Sequence, residues 1–271
     1  DTDTPVLHNN LCHKGPDKGA EGIIYRTIDV GDADSDELGR SIILTVNATS
    51  DDGGPDCSYN PFSAKSNGMQ GLYGSINLWS GSSVNLDFNF YDEKEFNAKG
   101  KSAAKLTMTD LALTMFDLDT GKNGASTEFV ELSGFDEYKI KKDTEVKVHA
   151  ESHHPGFTKF SASTEGTGED NPTDPIALTA QQQNRAVTAL YKNAGHIRAK
   201  IGAGKGKGPR FFTFVFRPSL LCAITVQEGF KPRLPDLVYK PPMQVPVKVR
   251  MGEEWTHFLA LKRGQRVPMG F

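Results

Sequence analysis

The stretch VNLDFNF, residues 84–90, decides the fold class. Its apolar residues occupy alternate positions and are Val84, Leu86, Phe88 and Phe90. Successive side chains of a β-strand point to opposite faces of the sheet, so this pattern predicts a strand with one apolar and one polar face. The stretch EVKVHAE, residues 145–151, alternates in the same way.

Further strand-like runs follow along the chain, mostly separated by Gly, Asn, Asp or Ser turns. They are SIILTVNAT (41–49), LYGSINLW (72–79), KLTMTDLALTMF (105–116), TEFVELS (127–133), FTKFSAS (157–163), HIRAKIG (196–202) and RFFTFVF (210–216). About nine strands without a βαβ rhythm predict an all-β fold, an antiparallel β-sandwich of jelly-roll type, over residues 21–228.

One helix is predicted within this sandwich. The run LTAQQQNRAVTALYKNAG, residues 178–195, offers Thr179 as N-cap and Gly195 just beyond the C-terminus. Ala186, Val187 and Leu190 would share an apolar face. We therefore expect one inserted helix near 179–194.

The two ends of the chain differ from this middle part. Residues 1–20 are polar with little periodicity and are predicted to be irregular. Residues 229–271 are rich in Pro, Lys and Arg yet contain apolar side chains, among them Tyr239 and Trp255. Proline excludes a helix or a central strand there, so we expect an extended basic arm that orders against a surface.

The chain has three cysteines, and two of them, Cys12 and Cys57, lie in polar loops. A disulfide between these two, with Cys222 a buried thiol, is the simplest arrangement, although three free thiols would also fit. The sequon NATS offers Asn47 for glycosylation. Together with Asp1 as the first residue, these features lead us to expect an extracytoplasmic protein whose targeting segment has been removed.

Two acidic stretches are candidates for calcium binding, because Ca²⁺ prefers several oxygen ligands. GDADSDELG supplies Asp32, Asp34 and Asp36 in a D-x-D-x-D pattern. FDLDTGKNGASTE supplies Asp117, Asp119 and Glu128 at the first, third and twelfth positions of a calcium-loop count. Lys122 stands where an EF-hand needs Gly, so the segment is not an EF-hand, and an ordinary solvated turn is the alternative.

Asp117 and Asp119 also allow a second interpretation, the carboxylate pair of a glycoside hydrolase, although no apolar pocket for an acid can be recognised. A third is carbohydrate binding on exposed aromatic rings. The residues considered for such stacking are Trp79, Tyr73, Tyr91 and Tyr138.

The run IGAGKGKGPR, residues 201–210, lacks the Ser or Thr that a P-loop needs after its lysine. It is predicted to be a basic hairpin tip that offers Lys205, Lys207 and Arg210 to an anionic partner. The net charge of −3 gives no argument for nucleic acid, and no apolar run is long enough to span a membrane.

The block LTMFDLDTG, TEFVELSGFDEY and TEVKV resembles jelly-roll, galactose-binding-like sandwich domains of secreted proteins over roughly residues 70–217. In such domains a strand ends F-x-D-x-D before a hairpin, and a GF-D-x-Y turn follows. The resemblance implies a loop-rich rim where calcium or another ligand can bind, at Asp117, Asp119 and Glu128 here.

The inserted helix and the proline-rich arm depart from that pattern and favour an assembly role. We therefore predict a non-catalytic scaffold or linker protein that docks on a partner or on copies of itself, with no certain cofactor. Tyr239 and Trp255 of the arm and the basic hairpin would carry the contact. A carbohydrate-binding module is the alternative, and a carboxylate-pair hydrolase ranks below it.

Overall fold

The computed structural model of the chain describes residues 6–28, 41–50, 57–149, 152, 155–217, 227–228, 246–251 and 254–259. Strands account for most of the regular structure, and all named strand pairs are antiparallel. The protein is an all-β sandwich, as the alternating sequence predicts.

The strands of the described residues, in chain order, are β1 (Val6–Asn10), β2 (Gly22–Ile28), β3 (Ser41–Thr49), β4 (Gly68–Gln70), β5 (Tyr73–Trp79), β6 (Ser83–Asp92), β7 (Met108–Phe116), β8 (Glu128–Ser133), β9 (Glu137–Ile140), β10 (Val146–His149), β11 (Phe157–Ala162), β12 (Val187–Ala194), β13 (His196–Ala203), β14 (Pro209–Arg217), β15 (Gln227–Glu228), β16 (Pro246–Met251) and β17 (Glu254–Leu259). The α-helices in the same residues are α1 (Glu93–Lys99) and α2 (Ala180–Asn184).

Two sheets form the sandwich. Sheet A has the strand order β1-β2-β3-β6-β13-β8-β11-β10, and sheet B has the order β15-β9-β12-β7-β14-β5-β4. The described strands therefore exceed the nine expected from the sequence, because short edge strands such as β4 and β15 carry too few residues for a recognisable pattern.

The core lies between the two sheets. From sheet A, β6 contributes the four alternating apolar residues of residues 84–90, all at most 3% exposed. From sheet B, β5 contributes Ile76 and Leu78, and β14 contributes Phe212 and Phe214. The alternation that predicted β6 thus reflects true burial of one face.

The prediction of an irregular segment over residues 1–20 is wrong for Val6–Asn10, which pair with β2 at the edge of sheet A. Periodicity missed this strand because its buried residues are Asn9 and Asn10, and its apolar Leu7 is 46% exposed. Asn10 is satisfied by backbone carbonyls, donating to Gly19 and Ala20. Hydrogen bonds, not apolar burial, fix this strand.

The predicted helix is much shorter than expected. Thr179 does cap α2, in a capping box with Gln182, but the helix ends at Asn184. The residues after it form β12, which pairs with β7 and β9 and buries Val187 and Ala189 completely. Pairing on both sides overrides helix propensity here. The other helix, α1, was not predicted; the Asp92 side chain caps it at Glu95 N.

The C-terminal region is a separate compact unit, residues 231–271. Within it β16 and β17 form an antiparallel hairpin in register from Pro246–Leu259 to Met251–Glu254. The two strands of this hairpin are extended segments, and the expectation of a basic arm over residues 229–271 stays a prediction. Pro246 stands at the first position of its strand, where a missing N–H is tolerated.

A disulfide joins Cys12 to Cys57, with Cα atoms 6.1 Å apart, as the sequence suggested. It ties the segment after β1 to the loop that leads into β4. Cys222 lies outside the described residues. No helix in the described part of the chain is long and apolar enough to cross a membrane.

Candidate binding site at one end of the sandwich

Four connections pack together at one end of the sandwich, here called the rim: residues 80–82, 117–127, 163–186 and 204–208. Backbone hydrogen bonds join them. Gly81 N donates to Ala203 O at 3.0 Å, and Ser126 N donates to Lys205 O at 2.9 Å. Leu118 N donates to Arg185 O at 3.0 Å. The predicted carboxylates Asp117, Asp119 and Glu128 and the basic hairpin therefore meet at this end.

The rim holds a group of carboxylates. Asp117, Asp119 and Asp170 each place one oxygen within 4.8 Å of the others. Asp117 follows β7 with a positive φ of 58°, a conformation that Asp tolerates better than most residues. Glu128, the predicted third ligand, is not part of this group. Asp170 takes its place, from a loop that no spacing rule connects to β7.

Two arginines neutralise part of this charge. Arg210 Nη1 donates to Asp119 Oδ1 at 2.7 Å and lies 3.7 Å from Glu128 Oε1. Asp119 follows β7 and Arg210 lies in β14, both of sheet B, whereas Glu128 begins β8 of sheet A. These contacts therefore link the two sheets. Arg210 is thus a counter-ion of these two carboxylates within the sandwich, and its role in binding a partner stays a prediction.

Arg185 contacts the other side of this carboxylate group. Its side chain is only 2% exposed and contacts Asp170, which is fully buried. Arg185 Nε donates to Glu145 Oε2 at 2.8 Å, and Nη2 donates to the backbone oxygen of Glu165 at 3.0 Å. A buried arginine with this many partners fixes the long loop 163–186 against the sandwich.

Burial and crowding shift the acidities in the group. Burial raises the pKa of Asp117 to about 6, and the neighbouring Asp119 adds to the shift. Burial also raises the pKa of Glu128 well above its ordinary value, with Asp119 again contributing. The pKa of Asp119 is raised by burial, while Arg210 opposes the change.

These carboxylates could hold a hard cation. Asp117 Oδ1 is buried and has no hydrogen-bond partner among the described residues, and carboxylate oxygens are the ligands that Ca²⁺ prefers. The calcium prediction therefore stays a prediction, with Asp117, Asp119 and Asp170 as the residues that would bind. Asp32, Asp34 and Asp36 lie outside the described residues.

An aromatic group lies at the β5 side of the rim. Trp79 is 39% exposed and Phe62 is 45% exposed. The Phe62 ring stands edge-on to Trp79, with centroids 5.1 Å apart, and to Phe211, with centroids 6.2 Å apart. These three residues are called the aromatic platform below. The tyrosines considered for stacking, Tyr73, Tyr91 and Tyr138, are at most 5% exposed and belong to buried clusters.

The loop that carries Phe62 is fixed to β5 by side-chain hydrogen bonds. Ser63 N donates to Asn77 Oδ1, and Asn77 Nδ2 donates to Ser63 O, both at 2.8 Å. Asn77 N donates to Asn67 Oδ1 at 3.0 Å, and Trp79 N donates to Asn60 O at 3.0 Å. Since Asn77 is fully buried, these bonds are shielded from water and hold Phe62 beside Trp79.

The basic hairpin predicted at residues 201–210 is the connection between β13 and β14. Lys205 and Lys207 are exposed, and neither has an ion-pair or hydrogen-bond partner for its side chain in the described part of the chain. Ser80 Oγ donates to Gly208 O at 2.8 Å, and Pro209 pairs with Trp79. The lysines therefore flank the aromatic platform.

The remaining predicted residues are less well placed for a role. Asn47 lies within β3 and is half-buried, and its Nδ2 donates to Glu21 Oε2 at 2.7 Å. A glycan on Asn47 would have to break this contact. Tyr239 lies outside the described residues, and Trp255 falls in β17, of which only the backbone is described.

Sequence patterns missed Phe62, Asp170 and Arg185. Asp170 lies in the proline-containing loop GTGEDNPTDP. Its prolines predict a rigid loop, but they do not predict which part of the sandwich the loop packs against. Phe62 lies between Pro61 and Ser63, outside any periodic run. The one sequence signal that could have identified Phe62 is that it is an isolated apolar residue in a polar loop.

Comparisons with known proteins do not assign the chain to a family. No protein-family profile matches it, and no curated protein matches it either. Solved structures do resemble it. They include the N-terminal domain of the Streptococcus gordonii adhesin Sgo0707, with 8% identity and a TM-score of 0.43, covering 79% of this chain and 48% of that one.

Two further similar structures are bacterial. Glucan binding protein C of Streptococcus mutans has 12% identity and a TM-score of 0.39, covering 84% of this chain and 68% of that one. The adhesin domain of PrgB from Enterococcus faecalis has 15% identity and a TM-score of 0.35, covering 71% and 62%. This chain thus spans about half of the first of these structures and under two thirds of the last, and matches at these TM-scores assign no function.

Proposed function

We propose that the protein is a non-catalytic carbohydrate-binding domain that holds a saccharide against Trp79, Phe62 and Phe211. The exposure of Trp79 and Phe62 in direct contact with each other carries this proposal. Aromatic rings stack on the apolar face of a sugar ring, while the indole N–H remains free to donate a hydrogen bond. Trp79 is thus the central contact.

The way in which the platform is held supports the same proposal. A binding surface whose rings are already fixed loses little conformational entropy when its ligand arrives. The Asn77–Ser63 hydrogen bonds and the Cys12–Cys57 disulfide restrain the Phe62 loop at both of its ends. Adjacent exposed apolar rings mark an interaction site more often than apolar residues scattered singly over a surface do.

The carboxylates of the rim favour binding over hydrolysis. A glycoside hydrolase needs two carboxyl groups facing each other across a cleft, with room for the scissile bond. Asp117 and Asp119 leave the same strand end, and Asp119 is held by Arg210 at 2.7 Å. This arrangement suits a structural or cation-binding group, and supports a domain that binds without turnover.

Polysaccharide retention tests the proposal. Trp79→Ala and Phe62→Ala should each weaken the retention of the full chain in affinity gels containing soluble glucans, galactans or uronans, by about tenfold or more for Trp79. Ile176→Ala is the matched control, because Ile176 is an exposed apolar residue of loop 163–186, outside the platform. Equal retention of Trp79→Ala and the unmodified chain on every polymer would refute the proposal.

A second candidate function is assembly through the C-terminal region, and the observation that favours it is the separate compact unit of residues 231–271. We propose that this unit docks on a partner or a second copy outside the cytoplasm, where the disulfide would be stable. Light scattering on the full chain and on a chain ending at Phe230 tests this. Equal monomeric masses would rule out self-assembly through residues 231–271.

A further inference from the structure

Lys205 and Lys207 give the neighbourhood of the platform a positive charge that the rest of the rim does not neutralise. Both are exposed, and neither side chain has a partner among the described residues. The basic residue next to them, Arg210, is already engaged by Asp119 and Glu128. Two lysines without a counter-ion on a small surface favour an anionic ligand.

The hairpin that carries these lysines is held in place. Gly204 N donates to Thr127 O at 2.9 Å, and Lys205 O accepts from Ser126 N at 2.9 Å. Gly206 lies so close to Ser126 that a Cβ at this position would overlap the Ser126 hydroxyl. The backbone between the lysines is therefore packed on one side against the loop 117–127, and both lysine side chains extend into water.

The carboxylates of the rim are set apart from this surface. Trp79 ends β5, whereas Asp117 and Asp119 follow β7, and β14 lies between these two strands. Asp119 and Asp170 are moreover paired with Arg210 and Arg185. A ligand lying on Trp79 therefore meets the lysines before it meets an unpaired carboxylate.

We propose that the ligand of the aromatic platform is an anionic polysaccharide, carrying carboxylate or sulfate groups that pair with Lys205 and Lys207. This inference rests on the proposed function. The sugar ring stacks on the Trp79 indole with its edge against Phe62, whose ring stands nearly perpendicular to Trp79. The charged substituent of the same or the next sugar residue reaches the hairpin. The aromatic rings match the apolar face of a sugar ring, and the ammonium groups match its negatively charged substituent.

The test compares polymers that differ in charge alone. Binding of the full chain to dextran and to carboxymethyl-dextran of the same length is measured by titration calorimetry at low and at high salt. We expect at least tenfold tighter binding to carboxymethyl-dextran at low salt, with most of the difference lost at high salt. The double variant Lys205→Gln, Lys207→Gln should lose about five- to tenfold on carboxymethyl-dextran and nothing on dextran.

A matched control keeps the net charge equal. Lys94 and Lys105 are exposed and lie near the opposite end of β6, so the double variant Lys94→Gln, Lys105→Gln should bind as the unmodified chain does. Equal loss in both double variants would overturn the inference, because it would show an effect of net charge only.

The outcomes separate this inference from the proposed function. Equal binding to dextran and carboxymethyl-dextran that is lost in Trp79→Ala would overturn the anionic ligand and leave carbohydrate binding in place. No Trp79-dependent binding to either polymer would overturn both. Tighter binding to poly-glutamate than to carboxymethyl-dextran would also overturn the inference, because it would indicate an acidic peptide as the ligand.

Discussion

The side chain of Asn77 binds the backbone of Ser63 in both directions, since Oδ1 accepts from Ser63 N and Nδ2 donates to Ser63 O, each at 2.8 Å. An amide that pairs with both the N–H and the C=O of one residue in this way acts as a neighbouring strand would. It places Phe62 beside Trp79 without any regular pairing between the loop and β5. Asn77 is therefore the positioning residue of the platform.

Asn77→Ala should release the Phe62 loop. We expect a loss of about 1–3 kcal/mol in the free energy of unfolding, because partly buried backbone groups of Ser63 lose their partners. The fluorescence anisotropy of Trp79, measured with Trp255→Phe in the background, should fall as the ring gains freedom. Ser63→Ala is the control, since it keeps the backbone groups that Asn77 uses. Unchanged anisotropy would show that the loop does not need Asn77.

Arg210→Ala should be strongly destabilising, because it leaves Asp119 and Glu128 between the sheets without their shared cation. We expect a loss of about 2–4 kcal/mol at neutral pH in urea unfolding. Arg198 provides the comparison, since it is 40% exposed and lies 3.6 Å from Asp87. Arg198→Ala should cost under about 1 kcal/mol. If both variants unfolded alike, the Arg210 contacts would be no more than a surface pair.

Asp117 should make the protein less stable as pH rises. Its folded-state pKa of about 6 lies above the ordinary 3.8, so the native state holds the proton more tightly than the unfolded chain does. The free energy of unfolding therefore increases as pH falls from above 6 toward 4, by at most about 3 kcal/mol from this group. Asp117→Asn removes the contribution and tolerates the positive φ.

In chelator, Asp117→Asn should therefore be more stable than the unmodified chain at pH 8, and about equally stable near pH 4. Urea unfolding at a series of pH values measures the difference. A difference that does not change with pH would mean that Asp117 titrates normally.

Calcium should raise the melting temperature if the three aspartates hold it. A ligand that binds only the folded state stabilises it in proportion to the logarithm of its concentration, so millimolar Ca²⁺ should add a few degrees over chelator. Asp117→Asn should abolish this increase, and Asp143→Asn, at an exposed residue, should leave it intact. The same melting temperature in calcium and in chelator would mean that these carboxylates are paired with Arg185 and Arg210 alone and bind no calcium.

The sequence predicted what depends on neighbours along the chain. The alternation of Val84 to Phe90 predicted β6, and Thr179 was rightly taken as a helix cap. Prediction from the sequence failed where contacts between residues far apart in the chain determine the structure. The helix stops at Asn184 because β7 and β9 pair with the residues after it. Local pattern contains no trace of such pairing.

The site shows the same division. Asp117 and Asp119 were found because they adjoin a strand end, but Asp119 and Arg210 are 91 positions apart. The sequence therefore assigned Arg210 to a partner although its charge is used internally. Phe62 was missed since its exposure follows from the path of a loop, which the Asn77 and Asn67 side chains determine.

The loop that presents Phe62 also guards the edge of sheet B against aggregation. β4 pairs with β5 only as far as Ser75, and beyond it the outward N–H groups of Asn77 and Trp79 are taken by Asn67 and Asn60. An uncovered strand edge of this kind could pair with a strand of another chain and so lead to aggregation. The Cys12–Cys57 bond anchors the start of this loop, so the same disulfide that restrains Phe62 also helps to keep the edge of sheet B covered.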